Sequence, residues 1–278
     1  MKKVISASRR TDLVAFFPDW LADVLKKRCV KVNGPRGGQY SVDLDPSTVH
    51  SIVLWSKNFE PLLTNRHGLR DVLAGYDQIY CHFTITGLGG TVIEPSVPDP
   101  DAALSQLVRL MALLQIPRRL IVRFDPVMYW LEGGKEKSNL PFFKRLAPEL
   151  SRRGIQDVCF SAAQWYAKSQ RRANKAGFAF IDPPLSTKRN AASLLVQTAQ
   201  EWGLNLSACA QLFLADCPGI EPSACIDGRL LQTLHPRGKK ASFARDRSQR
   251  PDCLCTKSTD IGSYTQPCPH PCLYCYAN

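Results

Sequence analysis

The last eleven residues, Cys268-Pro269-His270-Pro271-Cys272-Leu273-Tyr274-Cys275-Tyr276-Ala277-Asn278, hold three cysteines spaced C-x3-C-x2-C. A loop this short aims three thiolates at one centre, and its prolines restrict the backbone around them. Three ligands suit a [4Fe-4S] cluster that keeps one iron open, whereas a fully ligated electron-transfer cluster takes four. An open iron accepts a small molecule as an open zinc position does. His270 inside the loop is a further ligand, a hydrogen-bonding neighbour of the cluster or a solvent-facing residue. Upstream, Cys209, Cys225, Cys253 and Cys255 make a set of four that could fully ligate a second, auxiliary iron–sulfur cluster. A structural zinc site with four thiolates is compatible with the same spacing. The Cys253/Cys255 pair places two sulfurs close enough to share a cluster but is strained for a mutual disulfide. Cys217 is a spare or a substitute for one of the four.

Eight of the 11 cysteines lie in the last 70 of 278 residues. Only Cys29, Cys81 and Cys159 precede them, each in an apolar neighbourhood that suits a small buried hydrophobe. A chain of this length can form a core without disulfides. Its start, Met1-Lys2-Lys3-Val4-Ile5-Ser6, lacks the apolar stretch of a signal peptide. The expected location is therefore the cytoplasm, where cysteines are more often metal-binding or catalytic than disulfide-bonded. No apolar run approaches the roughly 20 residues of a membrane span. With 44% hydrophobic and 22% charged residues, the composition argues against both disorder and a fibrous repeat.

The elements that must position this chemistry alternate between strand-like and helix-like segments. Val4–Ala7, Ile52–Trp55, Ile79–Thr86, Leu120–Phe124, Val158–Ser161 and Leu204–Ala208 read as strands, and amphipathic helical stretches separate them. This is the pattern of parallel βα units, an α/β fold, and six units could close into a partial barrel or lie open as a doubly wound sheet. No Gly-x-Gly-x-x-Gly follows the first strand and no Walker loop occurs, so dinucleotide and P-loop readings have no support. In either architecture the functional face is where strands end. That rule nominates Ser8 to Asp12, Trp55 to Asn58, Thr84, Thr86, Arg123, Asp125, Ser161 and Cys209. Among them Arg9, Arg10, Lys57, Arg123 and Asp125 are the candidates for holding an anionic ligand, although polar residues at strand ends are also ordinary helix caps. After residue 209 periodicity fades, so residues 1–208 are expected to form the α/β unit and residues 209–278 a cysteine-rich tail organised by metal.

Charge is uneven. Between Arg229 and Lys257 eight Lys/Arg face two acidic residues, half of the formal net charge of +12. A second basic run, Lys168 to Lys175, follows Trp165 and Tyr166. Basic patches with aromatics suit nucleic acid; without a recognised nucleic-acid motif, a solubilising surface that balances anionic thiolates is the other reading.

The C-x3-C-x-aromatic-C spacing resembles that of the radical S-adenosylmethionine (SAM) superfamily, and the run Cys272 to Ala277 is similar to the local sequence of spore photoproduct lyase and its relatives. Over nearly its full length the chain also resembles a group of bacterial proteins described as a domain of unknown function. The matching residues are Ser6 with Ser8 to Asp12, Trp55 to Asn58, Glu94 to Pro98, Arg123 to Pro126, Cys225 to Asp227, Cys253 to Tyr264 and Cys268 to Asn278. Departures are Ser56 for Thr, Val127 for Ile, Pro271 for Gly, and the additional Cys217. The radical SAM resemblance implies a (βα)6 partial TIM barrel. It further implies a [4Fe-4S] cluster on Cys268, Cys272 and Cys275 whose open iron binds SAM, with Tyr274 near the adenine. An electron from a donor such as flavodoxin or ferredoxin would cleave SAM reductively to methionine and a 5′-deoxyadenosyl radical, which abstracts hydrogen from a substrate. In the usual enzymes the cluster loop follows the first strand; here it is at the C-terminus, so the tail must fold back across the barrel mouth. No Gly-Gly-Glu segment of the kind that binds the SAM amino group is present. The competing class is a non-catalytic, metal-stapled nucleic-acid-binding protein.

Overall fold

A computed structural model describes residues 2–34 and 37–275. Its strands are β1 (Lys3–Ala7), β2 (Cys29–Asn33), β3 (Gln39–Asp43), β4 (Val49–Ser56), β5 (Ile79–Thr84), β6 (Leu120–Val127), β7 (Tyr129–Glu132), β8 (Lys135–Ser138), β9 (Asp157–Ala162), β10 (Phe180–Ile181), β11 (Asn205–Cys209), β12 (Ile220–Ser223) and β13 (Thr259–Asp260). Its α-helices are α1 (Leu13–Phe16), α2 (Pro18–Lys26), α3 (Glu60–Leu63), α4 (Leu69–Leu73), α5 (Pro100–Leu114), α6 (Leu140–Ser151), α7 (Ala167–Lys175), α8 (Leu185–Glu201), α9 (Leu212–Ala215) and α10 (Gly228–Leu234). None of these helices is long and apolar enough to cross a membrane.

The fold is α/β. Eight strands form one sheet in the order β12-β11-β9-β6-β5-β4-β1-β13, and every pairing in it is parallel. The six strands anticipated from the sequence are β1, β4, β5, β6, β9 and β11, and they are neighbours in chain order. The order never reverses, as it would in a doubly wound sheet. Two hairpins were not legible in the pattern, β2–β3 and β7–β8, the latter joined by β10. The tail, read as aperiodic, supplies β12 and β13 at the two ends of the sheet.

Alternation along the strands divides their side chains between two faces. Ile5, Ile52, Leu54, Cys81, Phe83, Val122, Phe124, Phe160 and Leu206 pack against the apolar stripes of α2, α5, α6 and α8, forming the main core. The opposite face carries Val4, Val53, Tyr80, Ile121 and Cys159, and the tail covers it through Ile226, Leu231 and Cys255. Each buried aliphatic of this kind contributes roughly 1.5–3 kcal/mol, so the tail is held by the same force as the helices. Asp227 caps α10 by accepting from the Arg229 amide at 2.8 Å. Gly228 has no room for a side chain, since a Cβ there would meet the Ser242 carbonyl oxygen at 2.1 Å.

From α10 the tail reaches the ends where the strands begin. Gln78 and Arg119 donate to the carbonyls of Leu231 and Leu234 (2.9 and 3.1 Å), and His50 Nε2 donates to that of Lys239 (2.8 Å). The imidazole of His50 also accepts from Ser51 Oγ (2.7 Å) and lies 4.4 Å from the ring of His235. Lys2, His235 and Arg237 face Asp77 at 3.6, 3.7 and 3.3 Å. Burial holds both imidazoles below their ordinary pKa, so the fold keeps them neutral, whereas the unfolded chain protonates them near about pH 6.5. Their contribution to stability is complete above that pH and is lost as pH falls through the window down to the folded values. Thermal melts in steps across this acid window should show a decline that is shallower in His50→Gln; equal slopes would remove the pair from the account.

Candidate metal centres

The loop after β1 receives the returning tail. β13 pairs with β1 in parallel (Ile5 with Thr259, Ser6 with Asp260), which brings the Asp260 carboxylate to the C-terminal end of β1. It accepts from Ser6 Oγ at 2.9 Å, Ser8 Oγ at 2.6 Å and the amides of Arg9 and Gly262, both at 2.9 Å. Gly262 fits only without a side chain, because a Cβ there would meet Ser8 Oγ at 2.1 Å. Arg10 donates to the Gly262 carbonyl (2.8 Å) and lies over Tyr264, 4.2 Å from its centroid.

Beyond this clamp the cysteine loop docks on the loops that follow β1, β4 and β5. Asp12 accepts from Ser56 Oγ (2.8 Å), the Lys57 amide (2.9 Å) and His270 Nε2 (3.0 Å), and the His270 ring meets Phe16 edge-on at 4.5 Å. Glu94, fully buried, accepts from Lys57 Nζ (2.9 Å), Thr86 Oγ1 (2.8 Å) and the Tyr274 hydroxyl. Leu273 donates its amide to Ile93 (3.1 Å) and buries its side chain among Leu88, Met128 and Trp165. Arg172 on α7 donates to the carbonyls of Cys272 (2.7 Å) and Cys275 (3.0 Å). Burial raises the thiol pKa of Cys272 and Cys268 above the ordinary value, with Lys57 opposing the shift at Cys272. Lys57 stays charged despite burial because Glu94 and Cys272 face it. Cys272 is buried, and Cys268 and Cys275 are half-buried; the main chain of this loop is tied down, while among the described residues its three sulfurs are not gathered within 4.8 Å of one another.

A second thiol group, the inner thiols, lies between the sheet and the tail that covers it. The sulfurs of Cys159 (β9), Cys209 (β11) and Cys225 are all within 4.8 Å of one another, close enough to hold a metal ion. Cys209 and Cys225 approach to 3.2 Å as free thiols, well beyond the ~2.05 Å of a disulfide. Cys225 also faces Cys255, which in turn faces Cys253. Arg123 donates to the sulfurs of Cys225 (2.9 Å) and Cys159 (3.7 Å) and pairs with Asp125, which accepts from Ser161 as well. Burial disfavours the charge of Arg123, but the Cys225 and Asp125 anions outweigh it and hold its pKa above the ordinary value. Hydrogen bonds from Cys159 and Cys209 lower the Cys225 pKa to about 7, and one from Cys255 lowers that of Cys253 to about 7. Trp55 links the two guanidiniums: Arg9 and Arg123 lie 5.5 and 5.6 Å from its centroid, and His82 stacks on it at 3.9 Å.

Clamp, docked loop and thiol group draw on both ends of the chain, and one family description spans them all, the domain of unknown function DUF1848, matched over residues 4–277. The chain belongs to the DUF1848 family. No curated protein matches it.

The DUF1848 match takes in every cysteine discussed above, so the tail is part of the family's domain. The five rim candidates divide between tasks: Arg10 engages the tail, Arg9 and Arg123 face the inner thiols, Asp125 ties Arg123 to Ser161, and Lys57 adjoins Cys272. Tyr274 points its hydroxyl into Glu94. Of the three cysteines read as core, Cys81 is fully buried in it, Cys29 is exposed, and Cys159 belongs to the inner thiol group. Cys159 differs because it shares a face with Arg123, its partner in register; its apolar neighbours in sequence concealed that. Cys217 stands apart, packed at the edge of the main core.

Proposed function

We propose that the protein is a cytoplasmic iron–sulfur enzyme of radical SAM type, with the (βα)6 part of its sheet curved as a partial barrel and its reactive centre carried by the tail. One observation supports this above the others. β13 runs parallel to β1 on its outer side, and eight residues after Asp260 the chain reaches Cys268, which lies against Asp12 in the loop that follows β1. In the enzymes that the C-x3-C-x2-C spacing resembles, the cysteine loop likewise follows a strand beside the mouth. On this reading the chain order is permuted while the spatial order of strand and cysteine loop is kept.

Cys268, Cys272 and Cys275 would hold a [4Fe-4S] cluster: their sulfurs are the soft donors it requires, and three of them leave one iron open. A bound cluster would supply one-electron chemistry, fed by a donor such as flavodoxin or ferredoxin, for reductive cleavage of SAM. The protein holds and shields. The Asp260 clamp and the Asp12–His270 and Glu94–Tyr274 contacts fix the cysteine loop. Lys57 places a buried positive charge beside Cys272, suited to an anionic ligand. α10 fills the interior below, which confines chemistry to the mouth and excludes water from beneath. The cations of α7 continue beside the loop: Arg172 holds it while Lys168, Arg171 and Lys175 are exposed, a surface suited to an anionic substrate, nucleic acid included.

Anaerobic purification and reconstitution with iron and sulfide test the reading. A brown protein that converts SAM and dithionite to 5′-deoxyadenosine is expected. A fully loaded protein that leaves SAM intact, or a colourless one with zinc at the triad, would favour the metal-stapled binding protein instead.

A further inference from the structure

The inner thiol group is independent of the mouth chemistry. We infer that Cys159, Cys209, Cys225 and Cys255 form a buried four-thiolate centre for a thiophilic metal, an iron–sulfur cluster or a zinc ion, and that Cys253 lies outside the ligand set. The spacing in the tail pointed to Cys253 as the fourth ligand; the geometry points to Cys159.

Three observations carry this. First, Cys159, Cys209 and Cys225 converge to within 4.8 Å, and Cys225 hydrogen-bonds with the Cys255 thiol. A tetrahedral zinc with bonds of about 2.3 Å needs sulfurs about 3.8 Å apart, so small side-chain rotations suffice for an ion, and an iron–sulfur cluster spaces them somewhat wider. Second, burial orders the donors. Cys159, Cys225 and Cys255 are 0%, 6% and 2% exposed, and the Ile226 amide donates to Cys255 Sγ at 3.3 Å, as amides do to metal-bound sulfur. Cys253 is half-buried and hydrogen-bonds with the Cys255 thiol, with Cys225 and Cys209 within electrostatic reach. Third, the charge is unbalanced without metal-bound thiolates. Arg123, 8% exposed, pairs with the Asp125 carboxylate. Arg9 gives Asp260 its main-chain amide, and its guanidinium contacts the neutral Ser258 hydroxyl, hydrogen-bonds with the Cys255 sulfur and feels the charges of Asp260 and Cys225. Two cations at one buried face, of which Arg123 pairs directly with a carboxylate and Arg9 feels Asp260 without a direct ion pair, suit further anions at the thiols. Four thiolates on a divalent ion or a [4Fe-4S] core leave a net charge near −2, which two guanidiniums complement.

The centre would join β9 and β11 to two separate points of the tail, so that metal stabilises the packing of the tail on the sheet. It does not rest on the radical SAM reading. The test uses the full chain with all three mouth cysteines changed to alanine, so that remaining metal reports the inner centre alone. Expected is one centre per chain, with iron, acid-labile sulfide and visible absorbance marking a cluster and zinc without colour marking an ion. Cys159→Ser should lose it and Cys253→Ser should keep it. The reverse pattern, a metal-free protein under both loading regimes, or a Cys209–Cys225 disulfide in its place would overturn the assignment. Should Cys159→Ser fail to fold, alkylation of the unaltered chain decides. Added chelator should release Cys159, Cys209, Cys225 and Cys255 together while leaving Cys253 labelling unchanged; release of Cys253 in place of Cys159 would sink the proposal.

Discussion

Asp260→Ala is expected to destabilise the protein by about 3–5 kcal/mol, the range for removing one partner from a buried charged network. The side chain is 9% exposed and accepts from two hydroxyls and two amides. Alanine leaves those donors facing a small void, and each buried unsatisfied group costs about 1–3 kcal/mol where water cannot reach it. Against a total stability of about 5–15 kcal/mol for a typical domain, the loss is large. It should also be local at first, because β13 is two residues long and Asp260 supplies most of its attachment to the β1 loop. Denaturant titration would give the magnitude, and limited proteolysis the place, with new cleavage between about residues 241 and 267. Asp260→Asn keeps an acceptor and should fall between the two. An unchanged midpoint in the alanine variant would mean that the tail is held by α10 alone.

Cys272→Ala should abolish 5′-deoxyadenosine formation and remove one metal centre while the inner one persists. Loss of protein is not the expected cause, since the hydrogen bonds of residue 272 run through its main chain: its carbonyl accepts from Arg172 at 2.7 Å and from the Cys275 amide at 3.1 Å. Alanine preserves both, and deleting one buried thiol should cost about 1 kcal/mol. Far-UV circular dichroism and the melting temperature should stay near those of the unaltered protein, with metal content and SAM cleavage falling together. Retained cleavage, or loss of both centres at once, would separate the chemistry from this cysteine.

The reading of the site from the chain alone was uneven for physical reasons. Strand ends nominated Arg9, Arg10, Lys57, Arg123 and Asp125 because a parallel sheet sends every strand's following loop to one end. What each of them meets there depends on the tail. Arg10 finds the Gly262 carbonyl across 252 residues, and Arg123 finds Cys225 across 102. No local pattern encodes such pairings. Glu94 and His270 are the contacts most readily missed. In the sequence Glu94 stands out only as part of a matching segment, and His270 as a ligand, a hydrogen-bonding neighbour or a solvent-facing residue; both are buried at the docking surface of the cysteine loop.

Residue order by itself determined the α/β class, the six parallel strands and the two concentrations of cysteine, because hydrophobic periodicity and ligand spacing are local properties that any neighbouring fold must respect. The tertiary structure alone decided that Asp260 anchors the tail beside β1, that α10 covers the face of the sheet opposite the main core, and that Cys159 adjoins Cys209 and Cys225. These follow from the register of parallel strands. Arg123 lies opposite Cys159, and Cys159 opposite Ser207; a shift of one residue would turn every one of those side chains to the other face.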